Sequence, residues 1–523
     1  MRIVNLLHFY QPHNQQRDIL DRIVCESYRP LLKGLLKSGG GKLVVNITGG
    51  LVLLLVENEY NDVLEMLVEL LERGQIELTG TAMYHALLPL LPRDEIISQI
   101  TTNEDVCKKY FHEKYRPSGF FSPEMAINDI VIDAIARQNY KWFCAPAVSY
   151  GSLPARTNAL YKDKKTGLYV FFRDKGISSL ILSASVRSIE DFIVQTRDLK
   201  KNSEYWFNVM DAETFGHHRI GHEKFLIQLW ESDEFENITI EDLLKEYENE
   251  LPVEEVDLRP STWTNQEQDF WLDKDQTKST VAKSYILWKD PENPIHTLQW
   301  ELTDLIIKEV HNYKDKESKK WKEARAKLDT AVASDQYWWA SAKPWWSLEM
   351  IEQGAYSLKD VIKDLDVSEG VIEKANDLYR KILDQAFNWQ RSGYIRQMHL
   401  ANSGTYMKEP FKKRTPPEWF NQVMLEFEFE MNEAVLKKDF ERAIKWRDAL
   451  EKIKLRTDIY DVLHVVDELW LGRNLPWATP KVKPFLEHEW HEFSEYIKGY
   501  FKYVSSEEEF EEWKRTKRPP KNE

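Results

Sequence analysis

The chain has 523 residues, a formal charge of −15, and a hydrophobic fraction of 42% with 12% aromatics. That is too long for one ordinary core, unless it is a large α/β barrel, and too apolar for general disorder. It is also too acidic for a main ligand with a phosphate backbone, which calls for clustered Lys and Arg. A neutral ligand fits better, and the 19 tryptophans offer flat faces of the kind that sugar rings stack on, beside those that fill cores. The three cysteines, Cys25, Cys107 and Cys144, are far apart and odd in number. They match neither a disulfide framework nor a zinc spacing, so a reducing cytoplasm is expected. No window approaches 18 uncharged apolar residues, and the opening run lacks a cleavage site, so neither a membrane span nor a signal sequence is expected.

In chain order, β-type runs occur at 2–9, 42–48, 75–80, 119–124, 141–147, 179–185 and 204–211. Amphipathic helical runs such as 60–73 and 94–110 lie between them. Apolar strands alternating with helices predict parallel βα units, and about seven of them predict a closed (β/α) barrel. The Glu-rich stretch 231–256 reads as a solvated helical insertion, and another strand is expected before "STW" at 261–263. Beyond about 280, strand patterns almost vanish. Residues 297–333, 348–390 and 418–456 read as long amphipathic helices, and "KRTKRPPKNE" as a disordered tail.

In a parallel barrel, reactive groups sit where strands end. The first strand ends in "HFYQP", the third contains Glu77 and is followed by His85, the fourth ends at Glu124, and the seventh ends at Asp211 in "MDAETFGHH". Singly, each acid reads equally well as a helix cap or a surface charge. Together they would converge on one mouth. Two carboxylates facing each other across a cleft suit glycoside hydrolysis, one attacking the anomeric carbon and the other protonating the leaving oxygen. "ASDQYWWASAKPWW" (333–346) adds Asp335 amid Tyr337, Trp338, Trp339, Trp345 and Trp346, as a sugar subsite or as aromatic packing.

This ordered series resembles glycoside hydrolase family 57, whose members act on α-glucans. The residues that carry the resemblance are His8-Phe9-Tyr10-Gln11-Pro12, Gly74 to Glu77 with "HALLPLLP" after it, Glu124 in "GFFSPEMAIN", Asp211 in "DAETFG", and Asp335 with Trp338. Tyr10 stands where the family pattern has a second His. The resemblance implies a distorted (β/α)7 barrel over 1–285. It implies a helical region at 286–415 that packs on the barrel mouth and supplies Asp335 and Trp338. A further helical region follows at 416–523. It also implies a retaining enzyme acting on α-1,4-glucans, with Glu124 as nucleophile and Asp211 as acid/base. His8, Gln11, Glu77, His85, His218, Asp335 and Trp338 would bind substrate, and no metal or organic cofactor is required.

Two rival functions stand beside this one. His218 and His222, four apart, would share one face of a helix. With His8 and Asp211 they would make a metal site of the polysaccharide-deacetylase or mannosidase kind, although no His-Glu-x-x-His set is present. A glucan-binding adaptor without turnover is the other, and the presence of both acids argues against it. No Walker loop or G-x-S-x-G elbow occurs. Finally, 425–453 reads as an αα-hairpin broken at "KKDFE", with Asp439 as cap. It resembles the UVR motif at Met431, Ala434, Asp439, Phe440, Glu441, Ala443, Arg447 and Asp448. That resemblance implies a protein partner, not nucleic acid; an ordinary hairpin within the domain is the alternative.

Overall fold

The computed structural model describes residues 1–150, 157–182, 186, 188–197, 199–219, 221–263, 284–342, 345–402 and 417–454. Its centre is β1 (Arg2–Phe9), which pairs in parallel with β2 (Leu43–Ile47) on one side and with β8 (Tyr205–Asp211) on the other. β2 continues to β3 (Ile76–Leu78), and Gly80 N–H donates to the Gly119 carbonyl at 2.8 Å to join β4 (Gly119–Phe120). β4 pairs with β5 (Trp142–Pro146), and β5 with β7 (Tyr169–Arg173), all in parallel. The ring closes where Asp174 N–H donates to the Phe207 carbonyl of β8 at 2.7 Å. Seven parallel strands among the described residues thus form the barrel; six fall on expected runs, and β7 stands in place of the run at 179–185.

The barrel is distorted at one seam. β6 (Leu160–Asp163) lies antiparallel on the start of β7, and β10 (Val253–Val256) adds to β6, so β7 and β8 meet only near their C-terminal ends. β6, β7 and β9 (Glu236–Asn237), the last on β1, were not expected, whereas β10 is the strand expected before "STW". The run at 179–185 was expected as a strand, but residues Lys175–Leu182 are helical, with 183–185 outside the described residues. Short apolar runs carry no period long enough to separate the two forms.

The strands are apolar on both faces because both faces are buried. Val4, Leu6, Val44, Trp142, Phe171, Phe207 and Val209 fill the interior, while Ile3, Leu7, Val45 and Met210 pack against outer helices. The "solvated insertion" at 231–256 is a correction of the same kind. Helix Ile240–Tyr247 is capped by Thr239 and sends Ile240 and Leu243, both 0% exposed, into the interior cluster. Its Glu and Lys residues line only the outer face.

Three of the described helices after residue 290 start where side-chain oxygens accept from backbone N–H groups. Asn293, Ser318 and Ser347 cap Pro294–Asn312, Lys319–Ala331 and Leu348–Val361. Their apolar faces share one core with barrel residues Leu88, Ile96, Ile100, Val131 and Ile135. An ionic cluster ties the two regions together. Glu95, 0% exposed, accepts from Arg325 at 2.6 Å to each oxygen and from His311 at 2.5 Å, and Arg325 also reaches Asp329 at 2.7 Å. Helices Pro417–Leu436 and Phe440–Lys454 form the expected hairpin. Its packed face is Phe427, Ala434, Ala443, Trp446 and Leu450, and Arg442 N–H donates to Asp439 Oδ1 at 3.1 Å. Val435, Phe440 and Ile444, read from the sequence as part of the apolar stripes, are exposed.

Replacing Arg325 with Met strands a buried carboxylate. Urea unfolding should report a loss of about 3–5 kcal/mol, whereas Lys108→Ala, which removes an exposed pair with Glu104, should cost under about 1 kcal/mol.

Candidate active site

The mouth is built from the C-terminal ends of β1, β4, β7 and β8. Because side chains alternate, Val4, Leu6 and His8 all face inward, and His8 sits in register with Asn46 on one side and Asp211 on the other. His8 is fixed from all sides. Nδ1 meets Asn46 Oδ1 at 2.6 Å, Nε2 meets His85 Nε2 at 3.2 Å, and the ring stacks on Phe121 with centroids 4.8 Å apart. Burial lowers its pKa to about 4, against the smaller opposing pull of Asn46. At neutral pH it is therefore an uncharged hydrogen-bonding wall.

Glu124 follows β4 in a 3-10 turn, Pro123–Met125. Glu124 and Met125 have φ of 59° and 46°, a left-handed pair that β-carbons disfavour. The turn swings the carboxylate off the strand and into the mouth. Thr262 Oγ1 donates to the Glu124 carbonyl at 2.7 Å, and Trp263 Nε1 donates to Oε2 at 2.6 Å.

Asp211 ends β8 and precedes a 3-10 turn at Ala212–Thr214, yet its side chain does not cap that turn. The loop is anchored by an irregular helix. The π-helical turn Val24–Tyr28 points Ser27 at the Ala212 carbonyl (2.8 Å) and Tyr28 at Glu213, which also accepts from Gln11 Nε2 at 3.0 Å. Burial raises Glu213 to about 7, and Tyr28 is raised by burial and then by the charge of Glu213, with Asp211 adding a smaller push. Gly216, φ 103°, closes the loop; a β-carbon there would lie 1.8 Å from the Glu26 carbonyl oxygen.

Asp335 reaches the barrel through backbone contacts to the 79–92 loop. Ala86 bridges Ala333, Ser334 N–H donates to the His85 carbonyl at 3.2 Å, and Ser334 Oγ meets His85 Nδ1 at 3.0 Å. His85 itself is left-handed, φ 58°. Tyr10 stacks on His85, centroids 3.9 Å apart, and donates its hydroxyl to Asp335 Oδ2 at 2.5 Å. Burial raises the pKa of Asp335, which the Tyr10 bond partly offsets. Burial also raises Tyr10, followed by the charge of Asp335 and, more weakly, that of Glu124. Glu124, Tyr10 and Asp335 thus share one patch of the mouth, and the His8–Asp211 register brings the second acid to the same rim.

The remaining expected residues fall in different places. Trp338 is partly buried and stacks on Trp345, centroids 4.3 Å apart. His218 is exposed on the loop after Asp211. Glu77 is a correction: it lies one inward-facing layer below the mouth, level with Val44 and Leu6. Its carboxylate accepts from Trp142 Nε1 (3.1 Å), Ser118 Oγ (3.3 Å) and Glu241 N–H (3.0 Å), so it secures the floor instead of holding the sugar beside Glu124. The metal arrangement is not formed. His222 is sandwiched between Phe215 and Phe225 and meets the Ile181 carbonyl at 2.8 Å, while His217 pairs with Glu26 at 2.5 Å. Among the described residues, no three His, Cys, Asp or Glu side chains come together as a metal site.

Residues 3–257 match the model of glycosyl hydrolase family 57. This segment is a family 57 domain. Residues 423–456 match the UvrB/uvrC motif. The chain is similar to alpha-amylase 1 of Dictyoglomus thermophilum, 25% identical over 157 residues, which are 30% of this chain and 22% of that one. The chain thus spans about a fifth of the length of the curated relatives it matches. Among solved structures it is similar to 4-alpha-glucanotransferase from Thermococcus litoralis, with TM-score 0.56 and 17% identity over 70% of this chain and 59% of that one. It is also similar to the GH57-type branching enzyme from Pyrococcus horikoshii, with TM-score 0.55 and 16% identity over 74% and 94%. At these identities the likeness is one of fold, and its share of the chain exceeds that of the matched segment.

Several mouth residues carry no mark in the sequence. Trp263, Arg173, Asn46 and Tyr28 arrive from four separate segments. Glu213 does carry a signal, as an acid two positions after Asp211 in the same motif. Glu77 allows a test of the family 57 barrel floor. Burial raises its pKa from 4.5 to about 7, so the native state holds this proton more tightly than the unfolded one. Its contribution to stability is complete below about 4.5 and is lost as pH rises through about 7. Urea unfolding of Glu77→Gln against wild type should therefore shift in the variant's favour between pH 4 and pH 8, by about 3 kcal/mol.

Proposed function

We propose that this chain is a retaining glycoside hydrolase or transglycosylase acting on α-1,4-glucans. Glu124 attacks the anomeric carbon, and Asp211 protonates the departing oxygen and later takes a proton from water or from a sugar hydroxyl. The observation that carries this reading is the delivery of two acids, from the ends of β4 and β8, to one rim lined by His8, Tyr10 and Asp335. The family of residues 3–257 supports the substrate class, as do relatives named alpha-amylase and 4-alpha-glucanotransferase.

His8, His85, Tyr10 and Asp335 would meet the sugar hydroxyls at the reacting ring, with Trp338 giving its apolar face and His218 lying further out along the same rim. Gln11 acts through Glu213, setting the Asp211 loop. Residues 1–285 form the catalytic unit in this reading. Residues 286–415 complete its mouth, and 416–523 carry the hairpin. Leu425, Phe429, Phe440 and Ile444, all exposed, support a protein contact there. Three free thiols, with Cys107 and Cys144 buried, support a reducing, cytoplasmic setting. No described helix is long and apolar enough to cross a membrane.

The test is a product profile on amylose and maltooligosaccharides. Shorter products alone mean hydrolysis, longer ones as well mean transfer, and new α-1,6 linkages mean branching. Asp211→Asn should slow turnover by about 10²–10⁴-fold, and Glu124→Gln should form no glycosyl-enzyme by mass spectrometry. Both variants turning over at the wild-type rate would remove the assignment.

A further inference from the structure

We infer that Trp263, backed by Arg173, is the positioning residue that sets the reactive orientation of Glu124; this rests on Glu124 being the nucleophile. The backbone of Glu124 is held by its left-handed turn, by Ser122 Oγ bonding the Ala126 carbonyl at 2.5 Å, and by Thr262 on its own carbonyl at 2.7 Å. Those contacts fix the α-carbon. They act on the backbone, and the side-chain torsions are set by the partners of the carboxylate.

Trp263 sets them. Its Nε1–H donates to Oε2 at 2.6 Å, and an indole has no second polar role to play. The indole is itself locked. It lies edge-on to Phe121 (centroids 5.8 Å, 70°) and to His8 (6.3 Å, 75°), and is 8% exposed. The Arg173 guanidinium carbon lies 5.9 Å from the indole centroid, and Arg173 Nε donates to the Val209 carbonyl of β8 at 2.7 Å. Arg173 is 1% exposed. A guanidinium facing an indole is attracted by the negative ring face and makes the N–H edge a better donor. The chain of contacts therefore runs from β8, which carries Asp211, through Arg173 and Trp263 to Glu124. It couples the spacing of the two acids.

The chemistry follows. Oε1 attacks the anomeric carbon while the glycosidic C–O bond breaks and its oxygen takes the Asp211 proton. In the second step water or a sugar hydroxyl gives its proton to Asp211 and attacks the same carbon. The bond to Oε1 breaks, and its electron pair returns to the carboxylate. The donor on Oε2 keeps Oε1 aimed in the first step and meets the returning charge in the second.

The test uses the full chain with a maltooligosaccharide. Trp263→Phe keeps a ring against Phe121 and His8 and removes the N–H. Its kcat should fall roughly 100-fold with KM within about twofold, and glycosyl-enzyme should accumulate in samples quenched during turnover. Trp263→His, which restores a ring N–H, should recover about a tenth of the wild-type kcat, and the melting temperatures of both variants serve as the folding control. A Phe variant with wild-type kcat, or a His variant no faster than Phe at equal melting temperature, overturns the positioning role. Glu124→Gln is run alongside. If it turns over normally, the nucleophile assignment fails first; if it is inactive while Trp263→Phe is normal, only the positioning role fails.

Discussion

The register between β1 and β8 is the constraint on which the mouth depends. It sets His8 beside Asp211 and, through β2, beside Asn46. Side chains alternate along a strand, so a slip of one residue would turn His8 and Asp211 outward and bring Leu7 and Met210 into the mouth. The apolar alternation guards against that slip. Ile3, Leu7, Val45 and Met210 are all under 2% exposed in the outer core, and each would lose its packing together with the others. The position of one catalytic candidate is thus enforced by apolar side chains on the opposite face of its strand.

Burial then decides the electrostatics. His8 is kept neutral because its ring is enclosed, and Tyr10 is kept protonated for the same reason, helped by the negative charges nearby. A Tyr in place of a second His gives Asp335 a neutral donor whose state does not change near neutral pH. The rim therefore presents neutral donors around carboxylates, an arrangement suited to a polyol without charge. The Arg173 guanidinium faces the indole of Trp263, whose Nε1–H donates to Glu124. It acts on the ring that holds the acid.

Part of the backbone strain lies where function is proposed: three of the eight described non-glycine residues with positive φ, His85, Glu124 and Met125, border the mouth. Such conformations cost on the order of 1–3 kcal/mol each and persist only when the surroundings over-determine them. Here the surroundings include the helices after residue 290. Their shared core with the barrel and the buried Glu95–Arg325–His311 cluster hold Ser334 against His85, and so hold Asp335 in place. The helical region is part of the site because one wall of the mouth is made from it.

The sequence by itself determined the barrel class, most of its strands, the helical nature of the second half, the hairpin, and the identity of the acids at strand ends. These are local matters: a period of two or 3.6, a cap, an acid at the end of an apolar run. The tertiary structure decided the rest. Whether 179–185 was strand or helix, and whether the Glu-rich 231–256 was surface or plug, depended on which faces found partners across the barrel. Glu77, an acid inside an apolar run, was expected to hold the sugar, and only the register between β2 and β3 put it a layer down, against Trp142 and the start of helix Ile240–Tyr247. Trp263 lies 139 positions from Glu124 and Arg173 a further strand away, and no local period records a contact of that span. Such contacts are made by chain closure, so they become visible only when the barrel has closed.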